Sequence, residues 1–193
     1  MADKAMEIQD LRKLLAELIL SQKETDAKFK ETDAKFKETD AKFKETDAKI
    51  KEAFNLFKSQ WGKLMESLIE GDLLNLLQQR GLQVRDTSTR RKGNYKGTSY
   101  EFDIIAHNGD EIVIVEVKTT LRVSHVKKFI KRLEQVKTWL PEYKNFKVYG
   151  AIAYLKAEEE SDTFAQAKKL FAIRATGNSA SIINPTNFEP RTF

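Results

Sequence analysis

Three residues in the middle of the chain have the types and spacing of hydrolytic chemistry: Asp103, then Glu116 and Lys118 thirteen and fifteen positions on. Two carboxylates brought to one spot repel each other, and a divalent cation is the usual remedy. The 193 residues include two His and no Cys, which closes disulfides and thiolate zinc chemistry and makes a cytoplasmic setting the expectation. An all-oxygen ligand set points to Mg²⁺ or Mn²⁺. The alternative is a structural ion pair of Lys118 with Glu116 or Asp103 at the mouth of a sheet.

The residues meet only if a hairpin brings them together, and Asn108-Gly109 is a strong hairpin turn. If His107 pairs with Asp110, then Ile105 opposes Ile112, Asp103 opposes Ile114 and Glu101 opposes Glu116. With a side-chain period of two, Glu101, Asp103, Glu116 and Lys118 then share a face with Ile105, Ile112 and Ile114. Asp103 lies diagonal to Glu116, and Phe102, Ile104, Val113, Val115 and Val117 fill the opposite face. A strand so apolar is covered on both sides, so Glu116 and Lys118 each incur a desolvation cost of roughly several kcal/mol unless paired, hydrated or metal-bound.

The surrounding pattern supplies the positioning elements. Trp61, Leu64, Leu68, Ile69, Leu73, Leu76 and Leu77 recur at helical spacing up to Gly81. Strands are expected over 82–91, 99–106 and 111–118, with a basic loop at 92–97 between the first two. A helix over 123–140 presents Val126, Phe129, Ile130, Leu133 and Val136 on one face and stops before Pro141. A strand over 146–155, a helix over 162–170 and strands over 171–176 and 180–183, joined by a Gly177-Asn178 turn, complete an α/β order. It reads as an α-β-β-β-α-β core with an α-β-β tail.

Ahead of this lies a seven-residue repeat, Lys-Phe-Lys-Glu-Thr-Asp-Ala, in unbroken register over 28–48. With Phe at a, the a set includes Ile8, Leu15, Phe29, Phe36, Phe43, Ile50, Phe57 and Leu64, and d carries Leu11, Leu18 and then Thr25, Thr32, Thr39 and Thr46. Sustained heptads argue for a coiled coil, about 80 Å long at 1.5 Å per residue. Asp at e and Lys at g favour a parallel pairing with a second copy, so self-association through residues 8–64, as a parallel dimer, is expected. A lone, salt-bridged helix is the alternative. Gly62 and the change in composition put the boundary between a coiled-coil arm, 1–60, and a folded domain, 61–193. No apolar run approaches the roughly 20 residues of a membrane span, and Met1-Ala2-Asp3-Lys4 opens no secretory signal.

Asp103 followed by Glu116-Val117-Lys118 inside an α-β-β-β-α-β order resembles the PD-(D/E)XK, or restriction endonuclease-like, nuclease superfamily, whose core is a mixed sheet. The arm ahead of it resembles an uncharacterised prokaryotic family of such proteins. The resemblance implies a Mg²⁺- or Mn²⁺-dependent deoxyribonuclease that hydrolyses phosphodiester bonds. It makes Asp103 and Glu116 metal ligands with the Val117 carbonyl as a possible third, and gives Lys118 the task of orienting the attacking water or stabilising charge on the phosphorane. A first-helix acid often joins such sites: Gly62 and Glu66 fit one version of that pattern, Glu70 and Gly81 another, with Glu66 preferred. The usual Pro before the Asp is Phe102 here.

Charge distribution agrees with an anionic partner. Residues 1–60 hold 13 Lys and Arg against 13 Asp and Glu, so the whole surplus of +5 falls later in the chain. Arg90, Arg91, Lys92 and Lys96 near the first hairpin, and Lys127 and Lys131 on the helix after the motif, flank the acids as expected DNA contacts. Arg85, Lys128, Arg132 and Lys137 share these stretches. His107 reads as a turn residue and His125 as a helix-start residue. The competing assignment is a nuclease-fold scaffold or DNA-binding protein without catalysis, whose coiled coil mediates assembly.

Overall fold

A computed structural model describes residues 2–176 and 179–193; the turn expected at Gly177-Asn178 lies outside the described residues. The chain divides into two compact units, Met1–Phe57 and Lys58–Phe193. Helix α1 spans Ala2–Gln78 and passes through Gly62 without a break, where an interruption was expected. A lone glycine costs an exposed helix only about 1 kcal/mol relative to alanine, too little to end one with strong formers on both sides.

In the first unit the repeat is satisfied within the helix. Lys35, Lys42 and Lys49 pair with Glu31, Glu38 and Glu45, and Lys44 and Lys51 with Asp40 and Asp47, all one turn back. Each such pair adds a few tenths of a kcal/mol. Thr25, Thr32, Thr39 and Thr46 donate their hydroxyls to the carbonyls of Ser21, Lys28, Lys35 and Lys42. This back-bonding hides the polar end of each d residue and leaves its methyl group outward. Phe29, Phe36 and Phe43 are about 70% exposed, and Ile50 61%.

In the second unit the end of α1 buries Met65, Ile69, Leu73 and Leu77, one residue every four, while Leu64 stays exposed. The chain continues as β1 (Asp86–Tyr95), β2 (Thr98–His107), β3 (Glu111–Leu121), α2 (Val123–Leu133), α3 (Val136–Trp139), a 3-10 turn, β4 (Lys147–Ala157), α4 (Ser161–Ala167), β5 (Phe171–Thr176) and β6 (Ser179–Ile182). The expected helix over 123–140 is thus two, parted at Glu134-Gln135, and Lys92 lies within β1 rather than in a loop. The hairpin loop is only Lys96-Gly97, both at positive φ. That geometry is the type I′ turn, whose twist matches the strands it joins.

The strands form one mixed sheet in the order β1-β2-β3-β4-β5-β6, in which β3, β4 and β5 run parallel to one another and the pairs β1-β2, β2-β3 and β5-β6 are antiparallel. The order is the expected α/β one, α-β-β-β-α-β with an α-β-β tail, except that the arm and the first helix of the core are one continuous helix, α1. One face carries Ile104, Val113, Val115, Val117, Ala151 and Ile173 against α1. The other carries Ile105, Ile112, Ile114, Val148 and Ile152 against α2, with Val126, Phe129 and Leu133 inserted between them. No described helix is long and apolar enough to cross a membrane.

Two features of β2 depart from the expected register. It pairs with β3 as His107 to Ile112 and Ile105 to Ile114, one pair offset from the expectation. Gly109 (φ +101°) takes the first central position of a two-residue Gly109-Asp110 loop, as in a type II′ turn. Asn108 Oδ1 accepts from the Glu111 N–H at 2.8 Å and the Asn108 N–H donates to the Glu111 carbonyl. The offset of a whole pair preserves the faces, but it sets Asp103 level with Glu116 instead of diagonal to it. The second departure is Phe102, which joins the α2 side beside Tyr100 and Trp139 rather than the Ile104 side. Alternation breaks at Asp103, opposite Arg90, which sits at φ 51° and leaves the β1-β2 ladder without a bridge at that step.

Candidate functional site

The β2-β3 ladder stops at Ile104–Val115, and the candidate residues sit where the two strands part. Beyond that point the Val117 N–H donates to Asp103 Oδ2 at 2.8 Å, so a side chain substitutes for the missing ladder carbonyl. Lys118 Nζ lies 2.6 Å from Glu116 Oε1, 4.0 Å from Asp103 Oδ2, and donates to the Val117 carbonyl at 3.0 Å. The fold therefore gathers Asp103, Glu116, Val117 and Lys118 as the motif spacing anticipated.

Electrostatics make the cluster costly. The Asp103 carboxyl is pushed up to about 6, chiefly by burial and next by the charge of Glu116; its bond from Val117 and the nearby Lys118 only partly offset this. Glu116 is buried and paired on its Oε1 side by Lys118. Its Oε2 lies against the Arg132 guanidinium as an ion pair, yet without hydrogen-bond alignment, so that oxygen has no hydrogen-bonded partner among the described residues. Arg132 also donates through Nη1 to the Glu101 carbonyl at 3.0 Å, spanning the gap between the parted strands.

Glu116 and Lys118 open onto a cavity of about 520 Å³ that His125, Lys128, Lys131 and Arg132 complete. All but the first two come from α2, an eleven-residue helix with its apolar stripe on the sheet and its basic stripe outward. His125 has its Nδ1 buried without a hydrogen-bond partner among the described residues. Burial, then Lys118 and Arg122, pull the His125 imidazole below its ordinary value, which keeps it neutral near pH 7. His125 and Arg132 were read from sequence only as a helix start and a groove cation. Their seven-residue separation, two turns of one helix face, was the available signal for a shared site.

Glu66 is held by Arg90, which donates from Nε at 2.8 Å and Nη2 at 3.1 Å in a bidentate fork. Its charge nonetheless contributes to raising Asp103. Glu70 instead accepts from Thr87 at 2.8 Å. Of the expected DNA contacts, Arg90 is thus engaged by Glu66, Arg91 pairs with Glu142 and Lys92 with Glu101. Lys96 lies over the Tyr95 ring, Lys127 over the Phe164 ring, and Lys131 lines the cavity. Among the described residues no group of three or more His, Cys, Asp or Glu is placed to hold a metal ion. The donors that do converge, two carboxylates and a carbonyl, are hard oxygens of the kind Mg²⁺ and Mn²⁺ take, and the mutual repulsion at Asp103 is the kind a cation relieves.

The fold and site define a long helix joined to an α/β domain with an acidic pair at the parting of two central strands. Residues 75–182, more than half of the chain, match the family described as Domain of unknown function (DUF8196), and the chain belongs to that family. No curated protein matches it. Among solved structures it is similar to a protein of unknown function, AF1548, at 17% identity and a TM-score of 0.40, covering 56% of this chain and 58% of that one. It is also similar to a chain of an EndoMS-dsDNA2 complex at 13% identity and a TM-score of 0.39, covering 57% of this chain and 42% of that one. The chain therefore spans less than two thirds of either.

Proposed function

We propose that the protein is a metal-dependent nuclease that hydrolyses phosphodiester bonds in DNA, with residues 61–193 as the catalytic domain and 1–60 as a coiled-coil arm for self-association. The observation that carries this reading is Asp103. Its carboxyl is pushed up to about 6 by burial and by Glu116, a pairing that destabilises the fold, and Glu116 itself lines a cavity with four cationic side chains. Acids forced together next to cations suit a site that binds a metal and a phosphate.

Asp103 and Glu116, with the Val117 carbonyl, would hold Mg²⁺ or Mn²⁺. The ion would polarise the scissile phosphate and acidify its bound water. Lys118, released from Glu116, places a fixed cation where charge develops on the phosphorane or orients the water. Arg132 exchanges the Glu116 carboxylate for a phosphate oxygen, and neutral His125 can accept or donate one hydrogen bond in the cavity without adding charge. Glu66 stays on Arg90 and acts on Asp103 through its field.

The test is cleavage of plasmid, linear, single-stranded and branched DNA with Mg²⁺ or Mn²⁺, against an EDTA control. Asp103→Ala, Glu116→Ala and Lys118→Ala should each abolish it. Cleavage retained in all three sinks the reading. The double pairing of Glu116 by Lys118 and Arg132 favours a second reading, a scaffold or DNA-binding protein on the same fold. It predicts no calorimetric Mn²⁺ binding that Asp103→Ala removes.

A further inference from the structure

A second cavity, of about 550 Å³, lies beside the first and shares Lys131 with it; Lys127, Ile130, Glu134, Phe164, Lys168 and Arg191 complete its lining. Arg191 pairs with the one acid, Glu134, at 3.3 Å, and the three lysines leave the cavity an excess positive charge. Its aromatic floor is Phe164, half-buried, with Lys127 Nζ 5.9 Å and Lys168 Nζ 5.4 Å from the centroid over the ring, so a base stacks there once these flexible side chains swing off the ring onto its phosphates. Lys127 and Lys131 are one helical turn apart on α2, so a row of cations runs from Lys118 and Arg132 at the acids, through Lys131, to Phe164 and Lys168.

Side-chain-sized pockets joined by a cationic row and floored by a ring suit an unpaired strand, whose bases are free to leave the stack. A paired duplex keeps its bases stacked inside and offers only phosphates. We infer that an unpaired DNA strand leaves the candidate active site along α2 and seats a base on Phe164 with its flanking phosphates on Lys127 and Lys168. Resting on the nuclease reading, this makes the substrate class DNA with a single-stranded segment rather than intact duplex. Phe164 is a binding residue in this assignment and takes no part in the chemistry.

The test uses the full chain in EDTA, so that cleavage plays no part. Fluorescence anisotropy compares a labelled oligothymidylate with a blunt duplex of the same length, for the wild type, Phe164→Leu and the pair Lys127→Gln with Lys168→Gln. Loss of one stacked base should weaken the oligothymidylate about 5- to 100-fold and leave the duplex within about twofold. The double lysine variant should lower the salt slope for the single strand by about 1 to 2. Equal weakening of both DNAs, or none in either variant, overturns the inference. The outcomes are separable: a protein that cuts blunt duplex by way of Asp103 but ignores Phe164 fails here and keeps the nuclease reading. One that never cuts yet loses single-strand binding with Phe164→Leu fails there and keeps the track.

Discussion

Replacing Asp103 by Asn should make the protein more stable at neutral pH, which is the reverse of what a structural ion pair requires. The ordinary value of an Asp carboxyl is 3.8, and in the fold it is pushed up to about 6, first by burial and then by Glu116. At about 1.4 kcal/mol per pH unit, charging Asp103 in the folded state costs about 3 kcal/mol more than in the unfolded chain. Because the folded value is the higher one, the folded state holds this proton more tightly. The penalty is absent below about pH 4, grows as pH rises towards 6, and is constant above that. Asn keeps an oxygen to accept from the Val117 N–H and removes the charge. In EDTA, urea unfolding followed by tryptophan fluorescence should show Asp103→Asn more stable than wild type by up to about 3 kcal/mol at pH 8. The difference should vanish at pH 4. Trp139, stacked on Tyr100 with ring centroids 5.4 Å apart, reports on the region. Adding Mn²⁺ should raise the wild type and leave the variant unchanged. A variant less stable than wild type at pH 8 would show that Lys118 repays the Asp103 charge in full, and the acids would then be ordinary structural partners.

Two further outcomes follow from packing. Changing Phe29, Phe36 and Phe43 together to Ser should dissociate the full chain at micromolar concentration in sedimentation equilibrium, since each buried Phe contributes about 2 kcal/mol and the four back-bonded Thr residues contribute little; an unchanged mass would place self-association elsewhere. Gly150→Ala should destabilise by about 1–3 kcal/mol in urea, because its new methyl meets Leu133 Cδ1 and stands 2.8 Å from Leu170 Cδ2 between β4 and its covering helices, and a neutral result would mean that those leucines can retreat.

The element order was legible because the pattern of apolar residues is strong: a continuous apolar run in Glu111–Leu121, a 3.6-residue stripe in Val123–Leu133, and Asn108-Gly109 between strands. The register was missed by one pair because an Asn-Gly sequence suits two turns. With Asn and Gly both central the loop closes on His107 and Asp110. With Gly first and Asn as its cap it closes on Asn108 and Glu111, and the Asn108 side chain, bonded to the Glu111 N–H, selects the second. The break at Asp103 had no local signal at all. Arg is a poor left-handed residue, so nothing in the letters places Arg90 at φ 51°; the bidentate fork onto Glu66, twenty-four residues away, is a tertiary contact that compensates for it.

The same distance effect hid the most informative asymmetry of the site. Sequence reasoning could place two acids and one lysine together, and with three charges either acid could have taken the lysine. The fold adds Arg132 from α2, and both cations go to Glu116, leaving Asp103 with a backbone N–H and a lysine 4.0 Å away. A site built only for stability would divide two cations between two carboxylates. Placing both on one and burying the other under-paired stores electrostatic cost at Asp103, and a bound cation at that carboxylate would release it. The proposed exchange of Arg132 from Glu116 to a phosphate oxygen would then couple the arrival of DNA to the freeing of the second ligand.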